Sequence, residues 1–232
     1  MAKPKRKAFT GAKIATLDEI QVSILARLTP AWAGIGLAPI SQARGTPSFA
    51  AEVGRNGDDR EIIQMATVVF LNRQQARRFG CTTASFCLEV GVFYTFAPNA
   101  ALGALGWPDP AACHIRALLP RPYRQRPPNR DLPRVDRRRR DIWWVDESKG
   151  DLDRILRKAT ETIAKRAKPL LQRYSDPEFT YWYLKRWPGT ALVVGAPFNV
   201  GTKDSPQRRV LIEALGRHIN TIPAAEDADI AG

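Results

Sequence analysis

Residues 83–96 read TASFCLEVGVFYTF. Phe86, Leu88, Val90, Val92, Tyr94 and Phe96 take alternate positions, with Ser85, Cys87, Glu89, Gly91 and Thr95 between them. Successive strand side chains point to opposite faces, so this spacing predicts a strand with one core face and one more polar face. Outward from it, 48–53, 61–71 and 113–119 have the same strand character, and Ile142-Trp143-Trp144-Val145 forms a shorter apolar run. These strands follow one another without crossover helices of the length a parallel sheet requires, which predicts an antiparallel sheet.

Helices flank this set. Thr16-Leu17-Asp18-Glu19 has the form of a capping box, and Leu17, Ile20, Ile24, Leu25, Leu28 and Trp32 recur at helical spacing until Gly34 and Gly36. Pro30 is expected to bend the last turn. Asp151 opens a second amphipathic stripe of Leu152, Ile155, Leu156, Ala159, Ile163 and Ala167, which Pro169 is expected to interrupt. Phe179, Tyr181, Trp182, Tyr183 and Trp187 form an aromatic cluster, and Ser205-Pro206 opens a final helix. The expected fold class is α+β, with an antiparallel sheet of four to five strands packed by an N-terminal helix and C-terminal helices. In domain terms, 1–13 reads as a basic disordered arm and 14–177 as the α+β domain. Residues 178–222 read as an extension packed on that domain, and 223–232 as an acidic tail.

Thirty-six Lys and Arg face 23 Asp and Glu, a formal charge of +13. Lys3, Lys5, Arg6, Lys7 and Lys13 have no acid among them, and residues 116–140 hold ten arginines against Asp131 and Asp136. Those two segments account for the whole excess. Pro120, Pro122, Pro127, Pro128 and Pro133 disfavour a regular helix there, so 120–141 is expected to be a long exposed loop. No run of apolar residues reaches a membrane span, MAKPKRK is not followed by a signal-peptide core, and three cysteines cannot all pair within the chain. A cytoplasmic protein with reduced thiols is the expectation.

Gly36-Leu37, Phe86 to Val92, Cys113-His114-Ile115-Arg116, Trp143-Trp144 and Pro169-Leu170-Leu171 before Ser175-Asp176 occur in that order. In this succession residues 16–177 resemble the bacterial family called domain of unknown function 4304. Of these features the Trp143-Trp144 pair after a strand is the most specific. The resemblance implies a compact α+β fold and no established activity, so function has to be argued from sites.

The arginine segment is the first candidate site. Arg121, Arg124, Arg126, Arg130, Arg134, Arg137, Arg138, Arg139 and Arg140 suit phosphate groups, and Tyr123, Trp143 and Trp144 could offer stacking surfaces to unpaired bases. Trp143 and Trp144 must face opposite ways on a strand, one in the core and the other on the outer sheet face or under a helix, so only the outward ring, taken as Trp144, could bind anything. The plain alternative is a solvated loop neutralised by the acidic tail or by a partner. The second candidate is the polar sheet face, where Glu89, His114 and Arg116, with Gln64 nearby, could do acid–base work or could simply pair across strands. Cys81, Cys87, Cys113 and His114 lack metal-ligand spacing, no phosphate-loop or nucleophile motif occurs, and neither metal nor cofactor is expected. Three readings stand: a non-catalytic protein that binds nucleic acid or another polyanion, an accessory or immunity-type protein that binds an acidic protein partner, and an enzyme with an unrecognised site on the polar face.

Overall fold

A computed structural model of the chain describes residues 17–41, 46–54, 61–98, 100, 102–122, 129–145, 151–186 and 206–221. The basic arm, the Thr16 cap, Tyr123, Arg124, Arg126, Trp187 and the acidic tail lie outside the described residues.

The alternation at residues 86–94 does what its spacing dictates. β4 (Phe86–Tyr94) pairs antiparallel with β3 (Ile62–Phe70), setting Leu88 opposite Val68 and Val90 opposite Ala66. Beyond β3 lie β2 (Ser48–Val53) and β1 (Ala38–Ile40), each antiparallel to its neighbour. On the other side of β4, β5 (Ile115–Leu118) pairs with residues 89–92 and β6 (Ile142–Trp143) with residues 86 and 87. The fold is therefore α+β with an antiparallel sheet. Among the described residues it has six strands where four to five were expected. β1 is only three residues long, too short to carry a periodic signal.

The apolar face of β4 holds the main core. Phe86, Leu88, Val90, Val92 and Tyr94 pack there with Ile24, Leu28 and Trp32 of α1 (Leu17–Ala33), which Gly36 terminates at φ +94. Pro30 sits inside α1 without ending it. Pro169 was expected to interrupt the second helix. Instead, α4 (Leu152–Thr162) passes through a π turn at Ile163–Ala167 into α5 (Lys168–Tyr174). Proline lacks an N–H and crowds the carbonyl one turn back, and the wider π turn accommodates both while Ile163 and Ala167 stay buried in the core.

The C-terminal elements are packed on this body. α6 (Pro177–Arg186) starts at Asp176, whose carboxylate accepts from the N–H groups of Glu178 and Phe179 at 2.9 and 3.2 Å. The Tyr94 hydroxyl meets Thr180 Oγ1 at 3.0 Å and also donates to the Tyr174 carbonyl, tying the sheet to α5 and α6. α7 (Pro206–Thr221) adds Leu211 and Leu215 to the same core, and Arg208 donates to the Leu184 carbonyl at 2.6 Å. Gln64, expected near the polar face, lies on this helical face and donates to Ser175 Oγ at 2.8 Å. Register requires this, because Gln64 is opposite Val92.

The opposite sheet face is covered at both ends. At one end Phe93, Met65 and Cys113 pack with Trp107. At the other, Cys87 and Leu71 pack with Phe79, Leu132, Ile142 and Trp144. Among the described residues no helix is long and apolar enough to cross a membrane.

Candidate polyanion-binding surface

The cover over Cys87 begins with α2 (Arg73–Phe79), a helix that the sheet pattern conceals. Asn72 and Gln75 form a reciprocal capping box, at 2.8 and 3.1 Å, and Gly80 closes the helix in the left-handed region at φ +67. Ala76 and Phe79 face inward, while Arg73, Arg77 and Arg78 face solvent. α2 has no acidic residue.

The arginine segment docks on the end of α2. Asn129 N–H donates to the Phe79 carbonyl at 3.1 Å, and its side-chain amide donates to the Arg78 carbonyl at 3.0 Å. The chain then buries Leu132 and makes a single helical turn, α3 (Arg134–Arg137), after Pro133. Asp136 of that turn is buried and accepts a charge-assisted hydrogen bond from Arg78. Arg78 and Arg139 each lie over the Phe79 ring, at 5.6 and 5.7 Å from its centre. Arg139 also pairs with Asp141, which holds its guanidinium above the usual arginine range.

The described parts of 120–141, expected as a long exposed loop, present most of their side chains to solvent, while the two ends of the segment are paired. Arg121 N–H donates to the Arg140 carbonyl at 2.8 Å, and Arg140 Nη2 returns a bond to the Arg121 carbonyl at 2.9 Å. Arg121 is only 1% exposed, donates to the Arg139 carbonyl at 2.8 Å and lies 5.9 Å from the Trp144 ring centre. It is a packing element of the platform and, unlike the exposed arginines, cannot meet a ligand. Trp144 is likewise fully buried, against Phe79 at 5.1 Å, so it cannot stack on a base. Trp143 is buried on the other face, parallel to Phe86 at 6.0 Å. The two rings do point opposite ways, and α2 and the arginine segment cover the Trp144 side, the under-a-helix alternative of the two expected.

The outward groups form a basic platform. Arg130, Arg134, Arg137, Arg138 and Arg140 are exposed, and α2 adds Arg73 and Arg77, which charge counting leaves inside a neutral body. Among the described residues no carboxylate pairs with Arg73, Arg77, Arg130, Arg134, Arg137 or Arg138. The two carboxylates in the segment's packed part, Asp136 and Asp141, are already committed to Arg78 and Arg139.

The second candidate set is only partly brought together. Arg116 Nη2 meets Glu89 Oε2 at 3.0 Å on the polar face. His114 is drawn away to the end of β4, where its Nδ1 accepts the Tyr94 N–H at 3.0 Å and its ring lies 4.9 Å from Phe93. β5 begins only at Ile115, so His114 stands in for a strand carbonyl. Burial lowers its pKa to about 4 and keeps it neutral. Burial likewise pushes the Cys87 and Cys113 thiols up to about 12, and all three cysteines are free. Among the described residues no His, Cys, Asp or Glu cluster could hold a metal ion.

No curated protein and no solved structure matches the chain. The family model described as domain of unknown function (DUF4304) matches residues 55–173, just over half of the 232 residues. That span runs from the approach to β3 through α5 and includes the whole arginine platform with the tryptophan pair behind it. On that match the chain belongs to the DUF4304 family.

Proposed function

We propose that the protein is a non-catalytic binding protein that engages the phosphate backbone of nucleic acid through the platform of α2 and the arginine segment. One observation carries this reading: six exposed arginines, Arg73, Arg77, Arg130, Arg134, Arg137 and Arg138, lack a carboxylate partner among the described residues, while the buried Asp136 and half-buried Asp141 are already paired. Guanidinium forks suit phosphate oxygens, and a rigid base lowers the entropic cost of presenting them. The burial of Trp144 supports backbone contact over base stacking. A cytoplasmic setting agrees with three free thiols.

The test is a gel-shift titration in salt. Affinity falls with a log–log slope of about −0.9 per phosphate contact on duplex DNA, and replacing Arg134, Arg137 and Arg138 by Gln makes the slope shallower by up to about three contacts' worth. An unchanged slope and affinity in that variant would refute the proposal.

A second reading, an acidic protein partner, is favoured by Val135, which stands 77% exposed between Arg134 and Asp136 on the same turn. An apolar side chain amid charges is what a protein interface uses and a phosphate backbone does not. Val135→Ser separates the two readings, because it weakens a protein complex and leaves nucleic-acid affinity unchanged.

A further inference from the structure

Between the two covered ends of the polar sheet face lies a cavity of about 260 Å³. Its floor is Thr67 of β3, set directly opposite Glu89 of β4, with Arg116 of β5 beside them. Its wall is a short hydrogen-bonded loop. Gly103 N–H donates to the Trp107 carbonyl at 2.8 Å, and Asp109 caps the 3-10 turn Pro110–Ala112 by accepting the Ala111 N–H at 2.8 Å. Leu105, Trp107 and Pro110 make that wall largely apolar.

The floor has hydrogen-bonding capacity to spare. Glu89 and Arg116 share one contact, Nη2 to Oε2, leaving Glu89 Oε1 as an acceptor and Arg116 Nε and Nη1 as donors among the described residues. The Thr67 hydroxyl is also unpartnered there. Both side chains of the ion pair are 22% exposed, so these groups face a confined space. A lone carboxylate would be drawn by Arg116 and repelled by Glu89 and by Asp109 of the wall, and a lone ammonium would be repelled by Arg116. A neutral edge with N–H beside C=O satisfies both without the desolvation cost that the two full charges of a zwitterion would carry into the cavity: its N–H donates to Glu89 Oε1 and its carbonyl accepts from Arg116. The volume lies just under the roughly 300–1,000 Å³ usual for drug-sized ligands, which limits the occupant to about a single ring.

We propose that this cavity binds a small neutral cyclic amide, with Glu89 and Arg116 reading its N–H and C=O and Trp107 and Leu105 flanking the ring. The site is separate from the arginine platform, and the proposal does not depend on polyanion binding.

Calorimetric titration of the full chain with uracil tests it, with sodium acetate, methylammonium chloride and glycine as competitors of other charge type. Uracil is expected to bind at about millimolar concentration or tighter, with the other three at least tenfold weaker. Glu89→Ala removes the acceptor and frees Arg116, so uracil weakens at least tenfold and acetate gains. Thr67→Val keeps the ion pair but removes the floor hydroxyl that would hydrogen-bond the ring's remaining polar edge, so it weakens uracil several-fold, which serves if Glu89→Ala does not fold. No uracil binding by the folded wild type, equal binding of acetate or glycine, or uracil affinity unmoved by both variants would each overturn the proposal.

Discussion

The guanidinium of Arg121 lies 5.9 Å from the centre of the Trp144 ring, and both side chains are buried beneath the arginines they support. A charged donor held this way fixes the base of the platform, because Arg121 also bridges to the backbone of Arg139 and Arg140. Replacing it leaves the Arg139 carbonyl short of a donor in a dry site.

Arg121→Met is therefore expected to destabilise the fold by about 1–3 kcal/mol, read from urea unfolding. Arg134→Ala, on the exposed side, is expected to stay within about 0.5 kcal/mol of wild type. Equal effects of the two on stability would contradict the assignment of one arginine to packing and the other to the surface.

The contrast between those two arginines shows where sequence reasoning stops. Period-2 alternation was enough to place Phe86 to Tyr94 and to send Trp143 and Trp144 to opposite faces, because pleating is local geometry. Which arginine turns inward is not local, since it depends on an aromatic ring that arrives on another segment. α2 was hidden because only Ala76 and Phe79 of its seven residues are apolar and buried, yet Asn72, Gln75 and Gly80 carry its start and stop signals. His114 shares strand parity with Arg116, but β5 begins one residue after it, and the end of a strand is not legible from alternation.

Gly91 and Cys113 make a coupled pair. A Cβ added at Gly91 would lie 2.7 Å from Cys113 Cβ, 2.8 Å from its Sγ and 3.0 Å from the Ile115 carbonyl oxygen. Gly91→Ala is expected to cost about 1–3 kcal/mol through overpacking. Cys113→Gly in the Gly91→Ala background relieves two of the three contacts, so the double variant should be more stable than the sum of the singles predicts. A coupling energy of about 0.5 kcal/mol or more in a denaturant double-mutant cycle checks this, and strict additivity would show that Cys113 is not what fills the glycine's space.

His114 makes stability depend on pH in a defined direction. Its pKa is lowered by burial from 6.5 to about 4 in the folded chain. Between those values the unfolded chain holds a proton that the folded chain does not, so the full contribution is present above about pH 6.5 and is lost as pH falls towards 4. Unfolding free energy is expected to drop by about 2 kcal/mol from this group between about pH 7 and pH 5. His114→Gln supplies an acceptor for the Tyr94 N–H and cannot titrate, so its urea midpoint should fall less over the same interval. A parallel fall in both proteins would assign the acid sensitivity to other groups.

The helix that composition concealed supplies the last prediction. Arg73 and Arg77 project from α2, are exposed, and have no acidic residue on their own helix. If phosphates lie across both elements of the platform, Arg73→Gln/Arg77→Gln should weaken nucleic-acid binding and make the salt slope shallower by up to about two contacts' worth, without altering sequence preference. Stability should stay within about 0.5 kcal/mol, because both side chains are solvated and Phe79 and Ala76 carry the packing. A loss confined to the Arg134, Arg137 and Arg138 variant, with the α2 variant binding as wild type, would narrow the interface to the α3 turn. The salt-titrated gel shift, run on both variants beside wild type, decides between the two extents.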